Sequence, residues 1–375
     1  MSVPQHTPRP SSSMNRIHVL TSGFNTPNGG AFLFPLVVYR HILADYGYTV
    51  TLHRAVTSKL LDCDTLIIDS KFYRDQWAKE ASAVIEALKN FRKQIPKLIY
   101  CDTTDSTGSL QVAVLPIVDC YAKAQLLRDR SKYKFSYYGH RIYTDYYHRH
   151  AGVADDEPDW SEPISENDHL KKLAVSWNSG LADYSLLGPA RMSLYSHFPV
   201  SGLLSFPRPI ASPDHPRPIQ LHTRMGTMYA RASVSYQRQM ILSRLGSLAA
   251  AGKIRRRSYL NELSLSQSVL SPFGLGEITL KDFEVFLSGA CLIKPDMTHL
   301  ETWPDLFRPG ETIACFDWDF ADFDSVLTSL YDDSESRIAV ATAGQENYQQ
   351  YLDPDKGSCL FVKHFANLLS KIQRK

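Results

Sequence analysis

A glycine loop in the C-terminal half is the strongest chemical signal in the sequence. Gly274, Leu275 and Gly276 precede a short segment in which Phe283 and Phe286 recur at helical spacing. Glycine has no Cβ and tolerates positive φ, so its backbone can come close to a ligand. The exposed N–H groups and the positive end of the following helix together favour an anion such as a diphosphate.

Three charged residues accompany this loop. Glu277 ends the loop, while Lys281 and Glu284 fall outside the apolar stripe of the predicted helix. We therefore expect Glu284 to face an open cleft, where it is free to contact a ligand. For Lys281, an ordinary solvated helix charge is an equally good interpretation.

Polar loops also follow predicted strands in the N-terminal half. The first strand runs into a loop that contains Gly29 and Gly30, before an apolar helix predicted over about 32–45. A later strand delivers Asp102 and Asp105 to the same edge, because the carboxyl ends of parallel strands lie together. Asp105 or Asp102 would bind an acceptor hydroxyl or accept its proton, with Asp105 our first candidate, and capping of the following helix is the alternative.

These elements belong to a chain with ordinary globular composition. It has 375 residues, of which 43% are hydrophobic and 21% charged, which suggests two domains with substantial cores. The formal net charge of +2 gives no support to nucleic-acid binding. The six cysteines show no CxxC spacing, so we expect free thiols in a reducing cytosol.

The sequence gives no sign of a membrane-spanning segment. The longest apolar run, 31–39, is too short to cross a bilayer and contains Pro35. Residues 1–13 are polar and proline-rich, which predicts a disordered tail rather than a signal peptide. We expect a cytoplasmic protein, and peripheral contact with the inner face of the membrane stays open.

The order of motifs in the C-terminal half resembles a known family. The segments FGLGE, KDFE, SGACLI, HLETWPDLF and PGETI occur in the order found in the donor-binding half of GT-B glycosyltransferases, especially family-4-like enzymes and their spore-coat-type relatives. The resemblance spans roughly 221–352, with a looser match over 16–52. It implies an α/β fold of the GT-B type, with two Rossmann-like domains facing each other across a cleft.

The resemblance also implies domain boundaries. They are a tail at 1–13, an N-terminal acceptor-side domain at 14–204, a proline-rich linker at 205–218, a C-terminal donor-binding domain at 219–355, and a terminal helix at 356–375 that crosses back to the first domain.

Roles for the glycine loop and the two glutamates follow from the resemblance. Glu284 would hold the donor ribose, the loop 274–276 would lie against the diphosphate, and Glu277 would approach the transferred sugar. The two glutamates stand one residue closer together than is usual in the family.

Cations and a second glycine pair complete the implied donor site. Arg224 stands where the family keeps a cation for the diphosphate, and Tyr229 replaces a lysine usual in the family, so Lys281 would assist. Gly29 and Gly30 match the glycine pair that leaves room for the donor in the cleft.

The implied function is a hexosyltransferase-type glycosyltransferase that uses a nucleotide diphosphate sugar and a carbohydrate or lipid-linked acceptor. Retention at the anomeric carbon and a role in bacterial surface polysaccharide synthesis, such as O-antigen lipopolysaccharide or capsule, are further implications. No cofactor or metal is expected, since the DxD triplets at 62–64 and 317–319 lie outside any context resembling the metal site of GT-A enzymes.

Three alternatives remain open from the sequence. An inverting enzyme would use Asp105 as base. A catalytically inactive GT-B scaffold or nucleotide-sugar-binding subunit would bind nucleotide without turnover, and the irregular glutamate spacing motivates it. A nucleotide-sugar epimerase of the same fold would change the free donor without an acceptor.

Overall fold

The structure is a computed structural model that describes residues 14–250 and 252–371. The predicted tail at 1–13 lies outside the described residues, as do Ala251 and the last four residues.

Two parallel sheets organise the chain. The first has six strands in the order β2-β1-β3-β4-β5-β7, and the second has four in the order β12-β10-β9-β8. A strand pair, β6 and β11, lies apart from both sheets. The strands are β1 (Asn15–Leu20), β2 (Tyr48–His53), β3 (Thr65–Asp69), β4 (Lys97–Asp102), β5 (Cys120–Lys123), β6 (Gln125–Leu127), β7 (Leu173–Val175), β8 (Ile219–His222), β9 (Ser266–Leu270), β10 (Cys291–Pro295), β11 (Leu300–Thr302) and β12 (Ala314–Phe316).

Helices connect and cover these strands. They are α1 (Pro27–Val38), α2 (Arg40–Asp45), α3 (Arg74–Gln94), α4 (Ile142–Ala151), α5 (Asn167–Lys171), α6 (Gly188–His197), α7 (Ala232–Leu245), α8 (Arg256–Ser264), α9 (Leu280–Ser288), α10 (Phe323–Asp332), α11 (Ser334–Leu352) and α12 (Pro354–Ser370). Central strands such as β3 and β10 are buried at every residue, as expected for parallel strands covered on both faces. The predicted fold class, α/β with two Rossmann-like sheets facing a cleft in the GT-B arrangement, is confirmed.

The small third sheet joins the two halves directly. Strand β11 pairs antiparallel with β6, with Leu300 opposite Leu127 and Thr302 opposite Gln125. Glu301, on the same strand, contacts Arg130 at 2.6 Å. The end of the cleft near β6 is therefore closed by backbone hydrogen bonds between the halves.

The prediction of one apolar helix over about 32–45 is wrong in two respects, because the helix starts earlier and is divided into two. The glycine pair lies inside the first turn of α1, because the Thr26 side chain caps the helix by accepting a hydrogen bond from Gly29 N at 3.1 Å. Pro27 takes the first helical position, where its missing N–H costs nothing. The helix stops at Val38, and a second one begins at Arg40.

The last helix packs on the N-terminal half. In α12, Phe361 lies 5.1 Å from the Trp177 ring and 5.5 Å from that of Tyr39, measured between centroids. His364 Nε2 is 2.6 Å from the Ser176 carbonyl oxygen. Among the residues that the structure describes, no helix is long and apolar enough to cross a membrane.

Candidate active site

A cavity of about 460 Å³ lies where the carboxyl ends of the two sheets face each other. Its N-terminal wall comes from the start of α1 and from the loops after β3, β4 and β7. Its C-terminal wall comes from α7, Tyr229 and the glycine loop before α9. Ligands of open α/β sheets bind at this edge, so the cavity is the candidate active site.

The glycine loop lines the cavity through Gly274, Leu275 and Gly276. A Cβ at Gly276 would come within 2.9 Å of Ser106 N in the opposite half, so the missing side chain permits close contact between the halves. A Cβ at Gly274 would lie 3.3 Å from Arg238 Nη2. The glycines thus make room for protein groups, in addition to exposing backbone to the cavity.

Arg238 is the cation that the structure brings to this loop. Its side chain is 9% exposed, and it donates from Nε to Phe273 O at 2.7 Å and from Nη1 to Gly226 O at 2.8 Å. The Tyr229 ring lies 5.0 Å from the guanidinium carbon. Burial lowers the Arg238 pKa, and within residues 14–250 and 252–371 no carboxylate forms an ion pair with it. A buried cation held by carbonyls at a cavity wall is suited to a diphosphate.

Sequence reasoning missed Arg238, although a signal was present. Val234, Arg238, Ile241 and Leu245 follow one another at spacings of four, three and four, which is one helical face. The structure buries that face of α7. Because burying a charge is costly, an arginine within an apolar stripe indicates a specific role for its side chain.

The two cations that the sequence selected have other partners. Arg224 contacts Glu262 from Nε at 2.6 Å and from Nη2 at 3.1 Å, a bidentate pair. Lys281 donates to Arg224 O at 2.9 Å and to Leu270 O at 2.8 Å, and burial lowers its pKa to about 7. Neither residue lines the cavity. Their roles toward a diphosphate stay predictions.

Glu284 does not face the cleft as expected. Its side chain is 8% exposed, and Oε1 accepts a hydrogen bond from Arg256 Nη1 at 2.8 Å. Arg256 also donates to the carbonyl of Tyr184 at 2.8 Å. Burial raises the Glu284 pKa despite the guanidinium beside it. To hold a ribose, Glu284 would have to exchange Arg256 for the sugar, and this role stays a prediction.

Glu277 lies where the N-terminal and C-terminal halves contact each other. Its Oε2 accepts hydrogen bonds from Thr107 N and Gln125 Nε2, each at 3.0 Å, and its Oε1 lies 3.6 Å from His299 Nε2. The carboxylate is fully buried. Burial alone would raise the Glu277 pKa, but His299 and the Thr107 N–H outweigh burial and lower it. Glu277 does not line the cavity, and contact with a sugar stays a prediction.

Asp105 is the carboxylate that lines the cavity. It is exposed, and its Oδ1 accepts a hydrogen bond from Asn28 Nδ2 at 2.8 Å. Asn28 precedes the glycine pair at the start of α1; Gly29 and Gly30 are buried in this helix and do not line the cavity, so their contact with a donor stays a prediction. The loop after β4 and the start of α1 are thus joined beside the cavity, as their shared sheet edge predicts.

A buried ion pair lies beneath the Asp105 loop. Lys123 Nζ contacts Asp102 Oδ2 at 2.7 Å, and Tyr121 donates to the same oxygen at 2.7 Å. Burial would raise the Asp102 pKa, but the Lys123 ammonium and the hydroxyl donors of Thr104 and Tyr121 lower it. Asp102 is therefore a structural anchor of the loop and is not available as a base.

Two further cations stand at the mouth of the cavity. Lys71 and Arg74 lie where β3 leads into α3, and both line the cavity. Neither side chain has a hydrogen bond or ion pair to another described residue. Burial lowers the Lys71 pKa, although the neighbouring Asp105 opposes the shift.

Several solved structures align with most of this chain at TM-scores below 0.5. HepE from Anabaena, solved with UDP-glucose, aligns with a TM-score of 0.45 and 10% identity over 95% of this chain and 99% of HepE. Sucrose-phosphate synthase from Thermosynechococcus elongatus gives 0.44 and 9% over 95% of this chain and 99% of the other. A putative UDP-N-acetylglucosamine 2-epimerase from Listeria monocytogenes gives 0.40 and 10% over 91% and 95%.

No family model matches the chain, and no curated protein matches it in sequence. The similarities to solved structures are too distant to assign an activity.

Proposed function

We propose that the chain is a GT-B glycosyltransferase that moves a sugar from a nucleotide diphosphate sugar to a carbohydrate or lipid-linked acceptor. The observation that carries this proposal is Arg238, a buried cation beside the glycine loop of a cavity between two Rossmann-like sheets. It forms no ion pair with a carboxylate in the part of the chain that the structure describes. A diphosphate would supply the missing negative charge. It would also accept hydrogen bonds from the loop backbone.

The chemistry requires stabilisation of a leaving group. As the bond between the anomeric carbon and the diphosphate oxygen breaks, its electron pair departs with the nucleoside diphosphate. Arg238 and the loop N–H groups would stabilise that charge, and fixed donors in a partly enclosed cavity do so more strongly than water. In this proposal neither a metal nor a cofactor takes part.

The position of Asp105 supports the inverting alternative. Its carboxylate would accept the proton of an acceptor hydroxyl while that oxygen forms the new bond to the anomeric carbon. Glu277 is enclosed by Thr107, Gln125 and His299, so it could contact the sugar only if these contacts between the two halves opened. The resemblance implies retention, which is the competing prediction. The anomeric configuration of the product distinguishes inversion from retention.

The finer assignments rest on the resemblance alone. We propose hexosyl transfer in the cytoplasm, at or near the inner face of the membrane, within bacterial surface polysaccharide synthesis. The donor base, the sugar and the acceptor would identify the pathway.

A nucleotide-binding scaffold is the second candidate. The pairing of Arg224 with Glu262 and of Glu284 with Arg256 favours it, because two residues expected to hold the donor are engaged elsewhere. Such a subunit would bind nucleotide and would neither transfer sugar nor hydrolyse the donor.

A thermal-shift panel of UDP, GDP, dTDP, CMP and ADP with their common sugar conjugates tests the proposal. A ligand that binds only the folded state raises apparent stability as its concentration exceeds its Kd, by about 2.7 kcal/mol at a hundredfold excess. We expect one base to shift the transition. The absence of any shift at millimolar concentrations would contradict both candidates, and binding without transfer to any acceptor would favour the scaffold.

A further inference from the structure

A second cavity adjoins the candidate donor site. Its volume is about 420 Å³, and its wall includes the start of α3, the loop after β4 and the turn before α4. Lys71, Arg74, Thr104, Asp105 and Leu275 line both cavities. Asp105, the proposed base, thus stands where the two spaces meet. A molecule in the second cavity would have a hydroxyl within reach of that junction.

The charges around the second cavity do not balance. Four cations line it, namely Lys71, Arg74, Arg141 and Arg231, together with the carboxylates of Asp102, Asp105 and Asp159. Asp102 is already neutralised by Lys123, and Asp159 is bound by His140 and by Arg231 at 3.5 Å. Three cations then remain against Asp105 alone.

The positions of Lys71 and Arg74 increase this imbalance. Arg74 is the first residue of α3, Lys71 lies in the 3₁₀ turn Ser70–Tyr73 just before it, and Tyr73, at the cap position, makes no side-chain capping bond. The N-terminus of a helix carries the positive end of the helix dipole, where cations are unfavourable. Asp75 is the acidic residue of the first turn, and it forms no ion pair with either cation within residues 14–250 and 252–371. A bound anion would relieve the repulsion.

Arg141 is fixed in a position that favours the same ligand. Its Nε donates to Leu275 O at 2.6 Å, and its Nη1 donates to Gly139 O. Carbonyls hold the guanidinium without neutralising its charge. Trp77, one turn into α3, is half-buried in the same wall, and an indole ring is suited to contact with a sugar face.

We propose that the second cavity binds an acceptor with an anionic group, a carboxylate or a phosphate, next to the sugar that receives the transfer. Lys71, Arg74 and Arg141 bind the anion, Trp77 contacts the sugar face, and the acceptor hydroxyl points to Asp105. This inference rests on the proposed function for the identity of the reaction. The preference of the cavity for an anion can be measured without it.

The test compares charged and neutral probes that share a glucopyranose ring. Methyl β-D-glucuronide, glucose 6-phosphate and methyl β-D-glucoside are titrated by ligand-observed NMR, with and without saturating UDP. The Lys71→Gln/Arg74→Gln protein is compared with wild type. Lys79→Gln/Lys93→Gln serves as the matched control, because it removes two exposed lysines of α3 that line neither cavity.

We expect at least one charged probe to bind wild type and the control roughly tenfold or more tightly than the neutral probe, the order of loss for one charge-assisted hydrogen bond. The Lys71→Gln/Arg74→Gln protein should lose this preference. A preference for the glucuronide indicates an acidic sugar, and a preference for glucose 6-phosphate indicates a phosphorylated acceptor.

Two results would overturn the inference. Equal binding of charged and neutral probes to wild type would remove the anion site. Retention of the preference in the double variant, with loss of UDP binding instead, would assign Lys71 and Arg74 to the donor diphosphate. Failure of every nucleotide to bind would count against the proposed function. The preference for charged probes is measured without nucleotide as well, so the anion site is tested separately.

Discussion

The two sides of the cleft differ in how many of their cationic side chains are already paired with groups of the protein. On the C-terminal side, Arg224, Arg256 and Lys294 pair with carboxylates, and Lys281 is held by two carbonyls. Among the described residues, Arg238 is the cation that lines the cavity from this side, and it forms no ion pair with a carboxylate. On the N-terminal side, Lys123 is committed to Asp102, whereas Lys71 and Arg74 contact no carboxylate among the described residues.

We propose that this difference separates charges that stabilise the fold from charges that are available to a ligand. A committed pair in the interior stabilises only while both partners are present, because removal of one leaves the other buried and unpaired. An uncommitted cation contributes little to folding and remains available to an anion. Substitutions at the two kinds of residue should therefore affect different measurements.

The largest effect on stability is expected at the fully buried pair of Lys294 and Asp282, whose contact is 2.8 Å. Lys294→Met leaves the Asp282 carboxylate without its ammonium, and we expect a loss of about 3–5 kcal/mol in the free energy of unfolding. Urea denaturation measures it. Arg74→Gln is the comparison, with an expected change within about 0.5 kcal/mol. Similar losses in both variants would refute the distinction.

A smaller loss is expected at Glu284. Glu284→Ala removes the acceptor of Arg256 Nη1 in a mostly buried place, so we expect a cost of about 1–3 kcal/mol. Chemical denaturation measures it, with Glu157→Ala, an exposed glutamate, as control. If Glu284→Ala instead leaves stability unchanged and weakens nucleotide binding, the ion pair is unimportant and the ribose role implied by the resemblance is right.

The remaining effect is a change of stability with pH at Lys281. Burial lowers its pKa to about 7 from an ordinary value of about 10.5. Between these values the unfolded chain binds a proton that the folded chain has released, so raising the pH stabilises the fold. The stability of wild type relative to Lys281→Met should rise from pH 7 to pH 10 and should be constant between pH 5 and 6. A flat difference across the whole range would show that the Lys281 pKa is not lowered.

The sequence predicts the parts of the site that depend on local pattern. The glycine loop, the helix after it and the delivery of Asp105 to the sheet edge all follow from strand ends, glycines and apolar spacing. The predicted start of α1 is wrong because a Thr26 cap and Pro27 begin the helix before the glycine pair.

Partnerships between distant residues could not be predicted. Arg224 and Glu262 are 38 residues apart, and Glu277 reaches Thr107 across 170 residues. No spacing in a single sequence reveals such contacts. Burial and pairing decide which charged side chains remain available to a ligand. The sequence assigns ligand-binding roles to Arg224, Lys281 and Glu284, but in the folded protein these side chains already have partners.

Calorimetric titration of the selected nucleoside diphosphate into matched arginine variants tests the central claim most directly. Arg238→Gln should weaken binding roughly tenfold to hundredfold through loss of a charge-assisted hydrogen bond, and Arg238→Lys should recover part of it. Arg224→Gln, which removes a cation paired outside the cavity, should bind as wild type does. Wild-type affinity in a folded Arg238→Gln protein, with loss in Arg224→Gln, would contradict the account.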